Sequence, residues 1–141
     1  MKYNIDDLLD DIINSIDKVK KYVLNMDYNA YLENDLIQDG VERRYERIAE
    51  NMKRIRDNFP DTFNKITNGN EVIGARNIII NNYENINTSV LFKASGNDLD
   101  NLKDEIITLK NEQVLNQEST DLVQRNQLDK APHKKRRGIK R

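Results

Sequence analysis

The residues of this chain with the clearest potential for chemistry lie in one short segment, Arg76–Tyr83. The guanidinium of Arg76 is suited to binding a phosphate, because it offers two parallel N–H donors. Arg76 and Tyr83 are seven positions apart, and Asn77 and Asn81 are four apart, so each pair shares a face if the segment is helical. The amide of Asn81 does not titrate in water. The segment therefore combines a cationic side chain with an amide that cannot transfer protons.

Each of these residues also has a plainer interpretation. Arg76 could form a salt bridge on a helix surface, as most arginines do. Tyr83 could be an amphipathic residue at a helix end. Asn77 and Asn81 could reflect an AT-rich genome, since asparagine is frequent throughout the chain.

The composition excludes several classes of catalytic site. The chain of 141 residues has no cysteine, and its one histidine is His133. Disulfides, thiolate metal sites, histidine clusters and Ser-His-Asp or Cys-His sites are therefore excluded within one chain, and we expect no cofactor. The absence of cysteine favours a reducing compartment, the cytoplasm. The N-terminus turns acidic where a signal peptide needs apolar residues, and no apolar stretch is long enough to span a membrane.

The net charge of −1 conceals a strong division along the chain. Residues 130–141 hold seven basic residues and no acid, which leaves 16 basic against 24 acidic residues in 1–129 and a net charge of −8 there. The basic residues of the tail are Lys130, Lys134, Lys135, Arg136, Arg137, Lys140 and Arg141. An acidic body has to bind nucleic acid through local clusters. The segment Lys134–Arg137 could bind RNA, bind the acidic body or only be solvated.

Apolar residues recur at helical spacing over most of the chain. The first stripe, from Ile5 to Val23, predicts a helix that ends near Asn25, with Asn4 or Asp6 as its cap. A second long helix is predicted over about 35–58, and its charged outer face is interpreted as solvated. Two such helices with a short link, which could hold one turn around 28–32, most simply pack antiparallel.

The remaining elements are shorter. Pro60 or Asp61 can start a short helix, and the turn 67–70 leads into a helix over about 71–82, which is expected in the centre of the bundle because it is apolar on most sides. A turn at 84–88, a helical piece at 89–92 and a last helix from Asn97 to about Val114 follow. We predict an all-α antiparallel bundle of four to six helices over 1–115 and a disordered polar, then basic, tail over 116–141.

The order and spacing of these elements resemble the HEPN superfamily, and most closely the HepT-like toxins. Arg76-Asn77-Ile78-Ile79-Ile80-Asn81-Asn82-Tyr83 is similar to the family's Arg-Asn-x-x-x-His-x-Tyr signature, with Asn81 at the histidine position. Further similarity lies in Val41-Glu42-Arg43, in Ile73-Gly74-Ala75 before the signature and in Val90 after it. The resemblance covers roughly residues 5–110.

The resemblance implies a fold, an activity and a set of partners. HEPN domains are helical bundles that usually dimerise, and active members are metal-independent ribonucleases. By this resemblance Arg76 would hold the scissile phosphate, Asn77 would assist, and Asn81 would occupy the catalytic position. The implied partners are RNA, a second copy, and an MntA-like nucleotidyltransferase that modifies Tyr83 in a type VII-like toxin–antitoxin pair.

Three functions stay open from the sequence. The first is a HepT-like toxin that acts on RNA, with cleavage reduced or lost because Asn81 replaces histidine. The second is a non-catalytic HEPN module that dimerises and binds RNA, nucleotide or a partner protein. The third is an unrelated helical interaction protein.

Overall fold

The computed structural model describes residues 2–81 and 86–139, with side chains described at 2–81 and 88–127. These residues form helices and turns, with no strand among them, which confirms the all-α class. The helices are α1 (Ile5–Tyr22), α2 (Tyr28–Leu32), α3 (Asp35–Asn58), α4 (Pro60–Phe63), α5 (Gly69–Ile80), α6 (Ile86–Ala94) and α7 (Asn97–Ile139). The chain divides into two compact units between Leu109 and Lys110.

The helices α1 and α3 pack against each other in the first unit. Tyr3, just before α1, contacts Arg54 near the end of α3, whereas Tyr22 at the end of α1 lies beside Gly40 near the start of α3. The two helices are therefore antiparallel, as the sequence predicts. A Cβ atom on Gly40 would lie 3.2 Å from the Tyr22 ring, so glycine permits this close approach.

The ends of α1 follow from two asparagines. The Asn4 side chain accepts hydrogen bonds from the backbone N–H groups of Asp6 and Asp7, at 2.8 and 3.3 Å, so it is the N-cap. The apolar pattern predicted an end near Asn25, but the helix ends at Tyr22. Asn25 has a φ of 60°, and this left-handed conformation cannot continue a right-handed helix.

The predicted apolar stripes form the core of the first unit. Burial of these side chains is the main stabilising contribution to the bundle. The fully or almost fully buried residues include Leu9, Ile12, Ile16 and Val19 of α1, Val41, Ile48, Met52 and Ile55 of α3, and Leu99, Leu102, Ile106 and Leu109 of α7.

The expectation that the fifth helix lies in the centre of the bundle is wrong. Only Gly69 and Ala75 of α5 are buried, and Ile80 is 66% exposed. An apolar sequence shows that a helix avoids water but not which surface covers it. α5 packs on α3 along one side, and Val72, Ile73, Ile78 and Ile79 are partly buried, whereas Ile80 is exposed.

The last two helices are longer than their sequence patterns. α6 begins at Ile86, whereas a turn was predicted over 84–88; residues 84 and 85 lie outside the described residues. α7 begins at Asn97 as predicted, but it continues to Ile139 although its apolar pattern stops after Val114. The domain boundary at 115 and the disorder of the tail stay predictions.

Candidate functional site

Arg76 lies on the exposed surface of α5, beside the last turns of α3. Its side chain lines a cavity of about 290 Å³, together with Ile73 one turn earlier. The other lining residues come from α3 and from the segment before α1, and they are Tyr3, Ala49, Glu50, Lys53, Arg54, Asp57 and Asn58. α5 and α3 thus bring three basic side chains to one cavity.

The two carboxylates of this cavity are already engaged by arginines of α3. Oε1 of Glu50 lies 2.6 Å from Nη2 of Arg54, and Oδ1 of Asp57 lies 3.0 Å from Nε of Arg56. No ion pair formed within the described part of the chain includes Arg76 or Lys53. These two exposed cations are therefore available to an anion, and the interpretation of Arg76 as a salt-bridge residue loses its support.

An aromatic ring forms one wall of the same cavity. The guanidinium carbon of Arg54 lies 5.1 Å from the centroid of the Tyr3 ring, and Nζ of Lys2 lies 5.4 Å from it. Both distances are within the range of a cation–π contact. Tyr3 is half-buried and packs against the core, so the ring holds a fixed position beside Arg54.

The two asparagines of the segment lie at the end of α5. Asn77 is exposed and neighbours Arg76, and its backbone oxygen accepts a hydrogen bond from the N–H of Asn81 at 3.0 Å. Asn81 is the C-cap, with φ −101° and ψ 39°. α5 therefore ends at Ile80, whereas the sequence placed Arg76 and Tyr83 on one face only if the helix continued. Tyr83 itself lies outside the described residues.

The four basic tail residues belong to the second unit. Lys134, Lys135, Arg136 and Arg137 are part of the backbone of α7, and their side chains lie outside the described residues. Their predicted role in RNA binding therefore stays a prediction.

A larger cavity of about 710 Å³ lies on the other side of α5. Val72, Ala75 and Ile78 of α5 line it, so this helix separates the two cavities. Its remaining walls are mostly apolar, but they include the four carboxylates of Glu71, Asp98, Asp104 and Glu105. These charges would repel a phosphate. The smaller cavity at Arg76 is accordingly the better candidate for anion binding.

The residues of α3 that share the cavity with Arg76 were not predicted from the sequence. Lys53 and Arg54 were interpreted as part of a solvated face, and Tyr3 was given no role. A signal was present, because Glu50, Lys53, Arg54 and Asp57 recur at i, i+3, i+4 and i+7 and so form a charged stripe on one helix face. That stripe meets α5, which the sequence alone does not show.

Among the residues that the structure describes, no three His, Asp or Glu side chains are grouped so that they could hold a metal ion. In the same part of the chain, no helix has an apolar stretch of the length that a membrane crossing requires.

The all-α bundle carries an exposed Arg-Asn pair near the end of its fifth helix, in agreement with the HEPN resemblance of the sequence. The model of the family described as Ribonuclease HepT-like matches residues 12–109. The chain belongs to this HepT-like ribonuclease family, as the resemblance of its sequence indicated.

Two relatives from Methanocaldococcus jannaschii are similar to the chain. "Putative RNase MJ1380" is 30% identical over 105 residues, which are 74% of this chain and 95% of that protein. "Gamma-glutamylcyclotransferase and putative RNase MJ0434" is 26% identical over 112 residues, which are 79% of this chain and 50% of that protein. The chain therefore spans about half the length of the second relative. No solved structure matches the chain.

Proposed function

We propose that this chain is the HepT-like toxin component of a type VII-like toxin–antitoxin pair and that it acts on RNA in the cytoplasm. Membership of a ribonuclease family supports action on RNA, and a relative that the match covers to 95% of its length carries the name "Putative RNase MJ1380". The observation that carries the proposal is the exposed Arg76, which shares a cavity with Lys53 and forms no ion pair within the described part of the chain.

In this proposal Arg76 binds the phosphate at which the RNA chain would be cut. Its guanidinium can donate two parallel hydrogen bonds to phosphate oxygens and stabilise the charge that develops there. Asn77, exposed beside it, adds a donor that positions the same phosphate. No metal ion is needed for this arrangement, because the cation is supplied by the protein.

Asn81 supports a second candidate function, a HEPN module that binds RNA without cutting it efficiently. An amide cannot exchange protons with the attacking 2′-oxygen or the leaving 5′-oxygen, and loss of such acid–base catalysis lowers a rate by about 10²–10⁴-fold. Both candidates use the same phosphate site at Arg76. They differ in whether cleavage products form at a useful rate.

The proposal assigns Tyr83 to regulation by the MntA-like nucleotidyltransferase of the same pair. Transfer of a nucleotide to the phenol oxygen of Tyr83 would place phosphate charge within a few residues of Arg76. That charge would compete with RNA for the guanidinium, which explains neutralisation in physical terms.

The proposal also includes a homodimer. The bundle leaves large apolar side chains uncovered, among them Ile80 at 66% and Val90 at 43% exposure. Exposed apolar surface on a small domain marks an interaction site, and HEPN proteins commonly dimerise. A second copy would cover these side chains next to the end of α5.

The experiment that tests the proposal measures RNA affinity at several salt concentrations. Arg76→Ala should weaken binding and reduce the slope of log K against log salt by about 0.7, the value for one contact to a single-stranded phosphate. Arg43→Ala is the matched control, because Arg43 is exposed on α3 but does not line the cavity. Equal affinity of the wild type and Arg76→Ala would contradict the assignment.

The role of the basic tail is tested separately. A chain that ends at residue 133 loses Lys134–Arg137 and the basic residues after them, so its RNA affinity should fall and its salt slope should become smaller. Unchanged binding would remove the tail from the RNA-binding surface without affecting the assignment of Arg76.

A further inference from the structure

We propose that Arg54, held against Tyr3, forms a stacking platform for one base of single-stranded RNA, and that Lys53 binds the phosphate next to it. This inference rests on the proposed function, since it places the platform beside the phosphate that Arg76 binds. It adds a base-binding subsite on α3 to the phosphate site on α5, and it names single-stranded RNA as the substrate class.

The side chain of Arg54 is held from two directions. Its Nη2 atom lies 2.6 Å from Oε1 of Glu50, one turn earlier in α3, and its guanidinium carbon lies 5.1 Å from the Tyr3 ring centroid. A long side chain normally loses conformational freedom when it binds a ligand. Here the contacts with Glu50 and Tyr3 restrict Arg54 before RNA arrives.

Arg54 differs from Lys53 and Arg76 in that its charge has a partner. Glu50 neutralises Arg54 at close range, so Arg54 offers RNA a flat π surface more than a net positive charge. Lys53 and Arg76 line the same cavity, and neither forms an ion pair within the described residues. The cavity thus provides two exposed cations for phosphates and a planar group on α3 for a base.

An RNA ligand brings bases as well as phosphates to the cavity. A phosphate inside an RNA chain lies between two nucleosides, so a base must be accommodated next to any phosphate that Arg76 binds. Single-stranded bases stack on aromatic rings and on guanidinium planes, with little dependence on sequence. Bases in a duplex are already stacked on each other and cannot reach this cavity. A platform of Arg54 and Tyr3 therefore favours single-stranded RNA.

The test replaces the planar guanidinium of Arg54 by the ammonium group of lysine, which keeps the positive charge. Arg54→Lys in the full-length protein should lower the affinity for a short fluorescent single-stranded oligoribonucleotide by about 10-fold, because stacking on one base is lost. Its salt slope should not change, since the charge is retained. Arg43→Lys, the same chemical change outside the cavity, should leave both quantities unchanged.

Two further variants separate stacking from phosphate binding. Tyr3→Leu should lower affinity in the same way as Arg54→Lys, again without a change in salt slope. Lys53→Ala should reduce the slope by about 0.7, as expected for one phosphate contact. An oligonucleotide that lacks one base should bind the wild type more weakly than the intact oligonucleotide does. For at least one position of the missing base, this loss of affinity should be smaller with Arg54→Lys, because the variant no longer stacks on that base.

The outcomes distinguish this inference from the proposed function. If Arg76→Ala weakens binding but Arg54→Lys, Tyr3→Leu and the abasic substitution do not, the platform is wrong and the phosphate site stands. If the wild type binds no RNA, or if Arg76→Ala binds as well as the wild type, both fail. A salt slope that falls with Arg54→Lys would also overturn the platform, because Arg54 would then act as a phosphate contact.

Discussion

Nη2 of Arg47 lies 2.9 Å from Oδ1 and 3.1 Å from Oδ2 of Asp11, so one nitrogen of α3 engages both carboxylate oxygens of a residue on α1. The amide of Asn51, one turn further along α3, donates to the same carboxylate. This contact fixes how far the two central helices are shifted along each other. It therefore helps to position the last turns of α3 beside Arg76.

Asp11→Ala should destabilise the protein by about 1–3 kcal/mol, because the buried Asn51 amide loses its acceptor and Arg47 loses its partner. Chemical denaturation measures the free energy of unfolding. The control is Asn14→Ala, an exposed site on the same helix, which should change stability by less than about 0.5 kcal/mol. Equal effects of the two substitutions would show that the Asp11 contacts contribute no net stability.

Two glycines of α5 should respond to alanine in opposite directions. A Cβ atom on Gly69 would lie 2.5 Å from Cε1 of Phe63, so Gly69→Ala should destabilise by about 1–3 kcal/mol. Gly74 has nothing within 4 Å of that position, and Gly74→Ala should stabilise by about 0.4–1 kcal/mol through the lower entropy of the unfolded chain. Thermal unfolding of both variants tests this. A Gly69→Ala protein as stable as the wild type would show that Phe63 moves aside freely.

Glu42 should make the stability depend on pH. Burial, and then the nearby carboxylates of Asp39 and Glu46, raise the pKa of Glu42 in the folded protein above its usual value. The folded state thus holds the proton more tightly than the unfolded state. Protonated Glu42 therefore contributes to the free energy of unfolding. This contribution is complete below the unfolded pKa and is lost as the pH rises through the folded pKa.

Glu42→Gln should therefore be more stable than the wild type at neutral pH. This difference should shrink as the pH falls through the raised pKa of the folded state and should be gone below the unfolded pKa of about 4.3. Unfolding at several pH values measures it. Glu118→Gln, the same change at an exposed residue of the second unit, should show no comparable gain. A gain for Glu42→Gln that grows toward acid pH would have the wrong sign for a raised pKa.

Tyr45 links α3 to α6 inside the core. Its hydroxyl donates to the backbone oxygen of Leu91, at 3.2 Å, and lies 3.0 Å from Oγ of Ser95. Tyr45→Phe should cost about 1 kcal/mol at neutral pH. Burial raises the pKa of Tyr45 above its ordinary value, so the wild type should lose stability as the pH rises above about 10 and the deficit of the phenylalanine variant should shrink. A deficit independent of alkaline pH would contradict the burial of this phenol.

The long amphipathic helices could be predicted from the sequence because their burial follows their own periodicity. The stripes of α1 and α3 enter the core. The short helix Pro60–Phe63 was anticipated from Pro60 as a helix start, and a turn was anticipated around Tyr28–Leu32. Tertiary placement was less accessible. The sequence of α5 is apolar on most sides, but Ile80 is exposed, because the coverage of a helix depends on its neighbours and not on its composition.

The candidate site was predictable only on the helix that carries the signature. Arg76 was found from the family pattern. Its neighbours Tyr3, Lys53 and Arg54 lie far from it in the sequence, and they come together through the antiparallel packing of α1 and α3 and the docking of α5 on α3. A charged stripe on a single helix does not reveal which surface it faces.

The most direct test of the proposed RNA site and of the consequence of Asn81 is the initial rate of RNA cleavage. The comparison is between the wild type, Asn81→His and the double variant Asn81→His/Arg76→Ala, at protein concentrations that saturate RNA binding by the wild type. Asn81→His should cleave faster than the wild type by about 10²–10⁴-fold, because a proton-transfer group is supplied at the position where the family has one. The double variant should lose this gain. An Asn81→His protein that binds RNA but is as slow as the wild type, or a double variant that stays fully active, would contradict the account.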